Sequence, residues 1–327
     1  MNTKTKWGII GLGGIAHKFA TDLLLIENSS LEAVASRNLE KAEAFSKQYN
    51  SSSFYGSYEE LLQNGLVDIV YIATPHNSHE RYTILALKHK KAVLCEKPFA
   101  INKKQVFKMI EASKDNNTFL MEAMWTRFNP SIKKIKQLID NGEIGEIKYI
   151  NADFSFKANT SIQRIYDKEL GGGSLLDIGI YPVFLAYLLL GIPTKIQANA
   201  HFYESGADSQ LAMLFNYENA QALLFSSFNN TSKRIAKISG TLGEVIINMP
   251  WNETDSFSIQ KNIDPEEFVS LPTLGRGYAH QIMECNTCLQ QNKIESDTWS
   301  HKNSLDLISL LDAIRKEINL TYNEDLF

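Results

Sequence analysis

The sequence predicts a doubly wound parallel α/β sheet followed by an α+β domain with a large open, mainly antiparallel sheet. Three observations carry this. Strands of buried character alternate with helices through residues 7–115, a glycine-rich turn sits at the first strand–helix junction, and past about residue 122 short strands follow one another through turns instead of crossovers. At 327 residues the chain exceeds what one core usually serves, so two domains are expected, residues 1–122 and 123–327.

Residues 7–10 read as a short buried strand and 15–26 as an apolar helix, joined by Gly11-Leu12-Gly13-Gly14-Ile15-Ala16. Gly11 allows a turn that a Cβ would obstruct, and Gly13 lets the backbone approach a pyrophosphate. Ala16 is small enough for close helix–strand packing, and the helix start at Gly14 and Ile15 offers N–H donors to phosphate. The plain alternative is a glycine turn without a ligand; its place directly after the first strand favours the nucleotide. A strand at 31–36, a helix at 39–49, a short strand at 54–55 and a helix at 58–64, stopped by Gly65, come next. Residues 68–73 are a continuous apolar run, as in a strand buried on both faces. A loop at 75–79, a helix at 80–89, a buried strand at 92–95 and a helix at 103–115 complete the rhythm. This is a Rossmann arrangement, with right-handed crossovers and a ligand crevice at the carboxyl ends of the strands.

The end of the second strand selects the dinucleotide. An NAD enzyme usually has Asp or Glu there to hold the ribose 2′-hydroxyl. This strand ends Ala35-Ser36-Arg37-Asn38, with no carboxylate to repel a 2′-phosphate and with Ser36 and Arg37 able to donate to one. A solvated surface arginine is the competing reading. The expectation is NADP over NAD.

The second domain opens with a helix at 131–141 that ends at Gly142. Strands follow at 147–156, 195–203, 210–217, 221–228, 234–240 and 243–249, with helices at 179–190, 278–290 and 303–318. Helices can cover one face of so large a sheet, which leaves the other for a homodimer interface.

Composition narrows the function. Apolar and charged fractions of 44% and 21% suit an ordinary globular protein, and a net charge of −4 gives no electrostatic case for nucleic acid or an anionic membrane. The longest apolar run, 183–192, is too short to span a bilayer, and no leader pattern precedes the first strand. Three cysteines do not make a disulfide scaffold, so a reducing cytoplasm is expected. Cys285-x-x-Cys288 falls in a helical run without a second ligand pair and reads as packing. His17, His280 and His301 have no clustered partners, and no metal is expected.

Two segments carry candidate chemistry at the seam of the domains. Glu96-Lys97-Pro98 ends a buried strand, where a lysine can polarise or help deprotonate a substrate hydroxyl; the Lys97-Pro98 bond is open to cis. The same tripeptide also suits an ordinary strand exit. Further on, Gly171-Gly-Gly-Ser-Leu-Leu-Asp177-Ile-Gly179-Ile-Tyr181-Pro182 sets Asp177 and Tyr181 four apart on one helical face. Tyr181 offers a phenol that exchanges a proton with an alcohol when a cation, such as Lys97, stabilises its phenolate. The bland reading makes Tyr181 a core residue and Asp177 a helix-start residue.

Together with the glycine turn, Ala73-Thr74-Pro75-His76-Asn77-Ser78-His79, Glu96-Lys97-Pro98 and Asp177-x-Gly179 come in an order that resembles the glucose–fructose oxidoreductase/inositol dehydrogenase (Gfo/Idh/MocA) family. The resemblance spans most of the chain. It implies hydride transfer between NAD(P) and a carbonyl or hydroxyl carbon, usually of a sugar or cyclitol, and a dimer through the open sheet. Thr74, Pro75, His76 and His79 are then cofactor contacts, as is the Glu96-Lys97 pair. Many members carry histidine where this chain has Tyr181. That departure, with Met121-Glu122-Ala-Met-Trp125-Thr-Arg127-Phe128-Asn-Pro130, resembles the branch of trans-1,2-dihydrobenzene-1,2-diol dehydrogenase and NADP-dependent D-xylose 1-dehydrogenase. It also puts in doubt an inositol-dehydrogenase assignment that needs a histidine acid/base. In that branch Lys97 and Tyr181 match the catalytic pair, and Trp125 and Phe154 match an aromatic wall. The expected reaction is NADP-linked oxidation of a sugar or cyclic diol, with Asp177 and Arg127 positioning hydroxyls. Two readings of other classes stand beside it: an NADP-binding sensor without turnover, and a hydrolase or transferase that uses a tightly held nicotinamide transiently.

Overall fold

The computed structural model describes residues 4–159 and 162–326. The chain forms two compact units, Met1–Phe128 with Leu274–Leu305, and Asn129–Thr273 with Asp306–Phe327.

In the first unit, β1 (Thr5–Ile10), α1 (Gly14–Leu23), β2 (Ser29–Ala35), α2 (Leu39–Tyr49), β3 (Ser53–Tyr55), α3 (Tyr58–Gln63), β4 (Ile69–Ile72), α4 (His79–Lys88), β5 (Ala92–Glu96), α5 (Lys103–Asn116) and β6 (Leu120–Ala123) succeed one another. The strands form one six-stranded sheet ordered β3-β2-β1-β4-β5-β6, every neighbouring pair parallel. Every residue of β4 and β5 is buried, as expected of strands covered on both faces. Asn38, Ser57 and Asn102 cap α2, α3 and α5 by accepting a backbone N–H three residues on. The strand that the sequence did not signal is β6. Its Leu-Met-Glu-Ala has no β-branched residue and carries a carboxylate in its middle.

The second unit opens with α6 (Pro130–Asp140) and β7 (Ile147–Ser155). It continues through a short helix, α7 (Gln163–Tyr166), to α8 (Ile180–Leu190). The strands β8 (Lys195–Phe202), β9 (Asp208–Asn216), β10 (Gln221–Ser227), β11 (Ala236–Gly240), β12 (Gly243–Ile247), β13 (Ser256–Lys261) and β14 (Glu267–Ser270) follow. The eight-stranded sheet is ordered β14-β13-β12-β11-β7-β10-β9-β8; β7 and β10 are parallel and every other pair antiparallel. Alternation sorts its two faces. Ile150, Ala152, Leu224, Met213, Ile238 and Val245 are buried on the inner face, whereas Leu223 and Phe268 are exposed on the outer one. All but the last two residues of the 183–192 run belong to a longer helical stretch, Lys168–Leu190, which is long and apolar enough to cross a membrane. However, 78% of its apolar window is buried within the protein, as in a core helix.

The compact units divide differently from the 122/123 cut. Residues 274–305, with α9 (Ala279–Gln290) and the first turn of α10 (His301–Glu317), belong to the first unit. Trp7 Nε1 in β1 donates to Asn286 Oδ1 at 3.2 Å, and Asn286 Nδ2 donates to Ser29 Oγ at 2.8 Å. Ile294 accepts from Leu120 N at 2.9 Å. Helix α9 therefore satisfies its buried polar side chain on the parallel sheet, a long-range pairing that chain order does not announce.

Candidate active site

In a parallel sheet all carboxyl ends lie along one edge, so Gly11, Ser36, Thr74 and Lys97 come to that edge from β1, β2, β4 and β5. Gly11 has φ +86°, and a Cβ there would stand 2.7 Å from the Ala73 carbonyl oxygen. At Gly13 and Gly14 a Cβ would meet nothing within 4 Å, so the approach to the turn is open. Unlike the helices capped by side chains, α1 starts at Gly13 with no side-chain cap. Its first N–H groups and the positive end of its dipole stay available to a diphosphate. Ala16 is fully buried beneath the turn and Ile15 half-buried. Among the described residues the buried Thr74 Oγ1 has no hydrogen-bond partner. An uncapped helix start, an open glycine turn and an unused hydroxyl make a donor set that fits a dinucleotide.

Ser36 is buried and its Oγ accepts from Asn38 N at 3.2 Å, whereas Arg37 is exposed and hydrogen-bonded to the Tyr58 phenol. His76 is nearly buried, its ring 5.7 Å from that of His79. The expectation of a cofactor contact at His79 does not match its surroundings. The ring is wholly enclosed, with Nδ1 2.9 Å from Pro98 O and Nε2 2.9 Å from Thr74 O. It ties two loops together and presents no surface to a ligand. Burial lowers its pKa, which favours the neutral ring.

Below Lys97 lies a set of buried carboxylates. Glu96, 4% exposed, accepts from the Tyr71 phenol and, at 3.2 Å, from Lys97 N, while Tyr71 stacks on Phe19 with centroids 3.7 Å apart. Burial, then the charge of Glu96, pushes the Tyr71 phenol well above its usual range and keeps it a donor. Glu122 accepts from Phe99 N and Trp299 Nε1, both at 3.1 Å, and burial raises its pKa to about 7. The Lys97-Pro98 bond is cis, and Lys97 itself is half-buried. Trp125, 3% exposed, stacks on Tyr278 at 4.8 Å, and Arg127, half-buried, follows in the same turn. The loop before α9 is fixed by Asp22 of α1, whose carboxylate accepts from Arg276 N and Tyr278 N.

In the second unit the helix bearing Tyr181 begins with a π-helical turn, Leu175–Gly179, that contains Asp177. Such turns recur at functional sites. Tyr181 is 5% exposed, and its ring lies 5.3 Å from that of Phe154 near the end of β7. Asp177, expected to position substrate hydroxyls, has a charge partner in its own unit: Arg164 Nη1 lies 3.3 Å from its Oδ1. The turn is held by Asp208, fully buried, which accepts from Ser174 Oγ and Leu175 N at 2.7 Å. Burial raises the pKa of Asp208 and these bonds oppose the rise. Sequence reasoning missed Arg164 and Asp208, which lie 13 residues before Asp177 and 31 after it, in no shared periodicity. Glu122 does carry a signal in the sequence, a carboxylate in the middle of the buried run Leu120–Ala123.

Cys285 and Cys288 are free and buried, and burial pushes both thiols up. Among the described residues no group of three or more His, Cys, Asp or Glu is placed to hold a metal ion.

A Rossmann sheet with this donor edge, joined to a sheet domain that presents a phenol beside an aromatic face, defines a dinucleotide-dependent oxidoreductase. Residues 5–124 match the oxidoreductase family with NAD-binding Rossmann fold, GFO/IDH/MocA, and residues 132–246 match a C-terminal domain of the same family. The chain belongs to the GFO/IDH/MocA family, with an NAD(P)-binding first unit. It is 34% identical to a trans-1,2-dihydrobenzene-1,2-diol dehydrogenase of Xenopus tropicalis, covering 97% of this chain and 99% of that one. It is 31% identical to the scyllo-inositol 2-dehydrogenase (NADP(+)) of Bacillus subtilis, covering 98% and 99%. It is also 31% identical to the D-xylose 1-dehydrogenase (NADP(+)) of Hypocrea jecorina, covering 98% and 93%. Among solved structures, KijD10, a 3-ketoreductase from Actinomadura kijaniata in complex with NADP and TDP-benzene, superposes with a TM-score of 0.88. The two are 25% identical, over 97% of this chain and 98% of that one.

Proposed function

We propose that the protein is an NADP-dependent dehydrogenase that oxidises a CH–OH group of a sugar, cyclitol or trans-dihydrodiol. The observation that carries the reading is the ionisable Tyr181 phenol beside the Phe154 ring, in a family whose other unit binds NAD(P). Tyr181 accepts the hydroxyl proton, and the positive charge of Lys97 stabilises the phenolate. NADP+, when bound, supplies the hydride acceptor. Asp177 and Arg127 hold neighbouring hydroxyls, and Phe154 and Trp125 offer apolar faces to the C–H side of a ring. Gly11, Gly13, Gly14, Ile15 and Ala16 form the diphosphate turn; Thr74, Pro75, His76 and the Glu96-Lys97 exit complete the cofactor edge. The absence of a carboxylate after β2, with Arg37 exposed there, supports NADP over NAD. The outer face of the second sheet, with Leu223 and Phe268 exposed, is proposed as a homodimer interface, and three free buried cysteines suit the reducing cytoplasm.

Absorbance at 340 nm with NADP+ or NAD+ and a panel of aldoses, cyclitols and trans-dihydrodiols tests the reading. Turnover with NADP+, weaker with NAD+, is expected. Turnover with NAD+ alone overturns the cofactor choice. Tight NADP binding with no turnover in either direction replaces the dehydrogenase by a sensor.

A further inference from the structure

We infer that Arg234 is a substrate-recognition residue that takes an anionic group, a carboxylate or phosphate, on the substrate; the inference rests on Tyr181 being the proton-transfer group. The Arg234 guanidinium lies over the Phe154 ring, 5.1 Å from its centroid, and Phe154 is the ring beside Tyr181. A ring contact of this kind does not use the N–H donors of a guanidinium, which can bind a carboxylate or phosphate bidentately.

Arg234 differs from Arg164, the other arginine of this neighbourhood. Arg164 is committed to Asp177 at 3.3 Å, whereas no acidic side chain pairs with Arg234 among the described residues. It is also held in place. The residue is half-buried and has φ +51°. Among the described residues the other non-glycine residues in that left-handed region are asparagines, apart from Lys90, and asparagine tolerates it well. An arginine there carries backbone strain, which persists only where surroundings fix it. Here they do. Arg234 N donates to Ser232 Oγ at 3.2 Å, Ser232 Oγ donates to the Asp153 carboxylate, and Arg234 O accepts from Trp251 N at 2.9 Å. Trp251, fully buried, donates its indole N–H to Asp153 O at 2.8 Å. Both ends of the loop are thereby pinned to β7, next to Phe154. Tyr181 and Arg234 thus lie on either hand of one ring, 5.3 Å and 5.1 Å from it, a span that a substrate with its reacting hydroxyl at Tyr181 and an anionic group a few bonds away would bridge, so acidic sugars or sugar phosphates are the class this residue would select.

The test compares D-glucose, D-glucuronate and D-glucose 6-phosphate, which share the C1 hydroxyl and differ at C6. Wild type is expected to favour at least one anion over D-glucose in kcat/KM, and the two anions separate the carboxylate from the phosphate. Arg234→Gln should lower kcat/KM for the favoured anion by about 10–100-fold, the range for a charge-assisted pair, and leave D-glucose within about twofold. Arg234→Lys should recover part of the loss. Equal losses on all three compounds, or none, overturn the assignment and leave Arg234 as part of the ring face only. If wild type oxidises none of them, C1 oxidation of hexoses fails as an activity. Calorimetry on NADP+-loaded protein then decides the arginine separately. D-glucuronate or D-glucose 6-phosphate bound by wild type and lost in Arg234→Gln upholds it, and no binding by either protein overturns it. NADP+ affinity and Tm, unchanged in the variant, exclude misfolding.

Discussion

The two units place polar groups around a sheet in opposite ways. The first sheet is buried on both faces in all but its edge strand β3, so its available polar groups emerge where strands stop: Gly11 after β1, Ser36 after β2, Thr74 after β4 and Lys97 after β5. The second sheet buries one face, and its chemistry lies on that face, with Phe154 inside a strand and Asp177 and Tyr181 on a helix packed against it. The first arrangement is set by backbone punctuation and tolerates few side chains. The second is set by side-chain packing, and there a family can change substrate without changing fold.

If this division holds, damage to the second unit should remove turnover and spare cofactor binding. Tyr181→Phe keeps the ring against Phe154 and removes the phenolic proton acceptor. We expect kcat to fall by about 10²–10⁴-fold, the usual range for a lost general base, with NADP Kd unchanged. A Tyr181→Phe enzyme with near-normal kcat would show that the proton leaves by another route.

The converse change lies in the first unit. In Gly11→Ala the new Cβ meets Ala73 backbone 2.7 Å away, at φ +86°, where neither neighbour is a flexible side chain. NADP Kd should rise at least about tenfold and Tm should fall, since a residue forced into such a conformation costs on the order of 1–3 kcal/mol before the overlap is relieved. Titration of NADPH fluorescence measures it, and an unaltered Kd would mean that the turn does not carry the cofactor.

The same division explains what was legible in the sequence. Glycine and proline report backbone demands directly, so Gly11, the Lys97-Pro98 exit and most strands and helices of the first unit could be read within one to three residues of their observed bounds. The strand β6 escaped because tertiary burial, not propensity, makes Leu120–Ala123 extended. The strand β14 escaped because Glu267–Ser270 has four residues at the sheet edge, and β13 because Ser256–Lys261 carries only two apolar residues, Phe257 and Ile259, among polar ones. In the second unit Asp177 and Tyr181 were visible through a motif. Arg164, Asp208 and Arg234 were not, because their partners lie on other elements at no fixed spacing. His79 was legible as important but not in its role: a histidine in a cofactor-edge loop looks like a ligand until its two ring nitrogens are found against Thr74 O and Pro98 O.

Glu122 tests whether the first unit's buried carboxylates are strictly structural. Its pKa of about 7 lies above the ordinary 4.5, so the folded protein keeps its proton where the unfolded chain loses it. The sign follows: stability is greatest below about pH 4.5, declines as pH rises to about 7, and is level above. The decline is on the order of 3 kcal/mol at most. Glu122→Gln copies the neutral form in charge, and its single carbonyl oxygen keeps one of the two bonds that Phe99 N and Trp299 Nε1 make to separate carboxyl oxygens. Its Tm relative to wild type should therefore rise between pH 5 and pH 8, whatever the lost bond costs at both. A gap that does not change with pH would mean that Glu122 ionises normally in the fold.

The smallest expected effect concerns Arg37, where a first-unit site depends on a side chain and not on punctuation. The turn binds a diphosphate common to both dinucleotides, so NADP and NAD differ only at the 2′ position. Arg37 is exposed beside Tyr58, and its guanidinium can leave that phenol for a phosphate with which it forms a stronger, charge-assisted pair. Arg37→Gln should weaken NADP by about 10–100-fold and leave NAD affinity within about twofold, because only one of them carries the 2′-phosphate. Parallel titrations with NADPH and NADH read the ratio. Equal losses for both would move Arg37 from the 2′-phosphate to the adenine ring, which the two share. The first unit would then hold its cofactor through backbone and stacking alone.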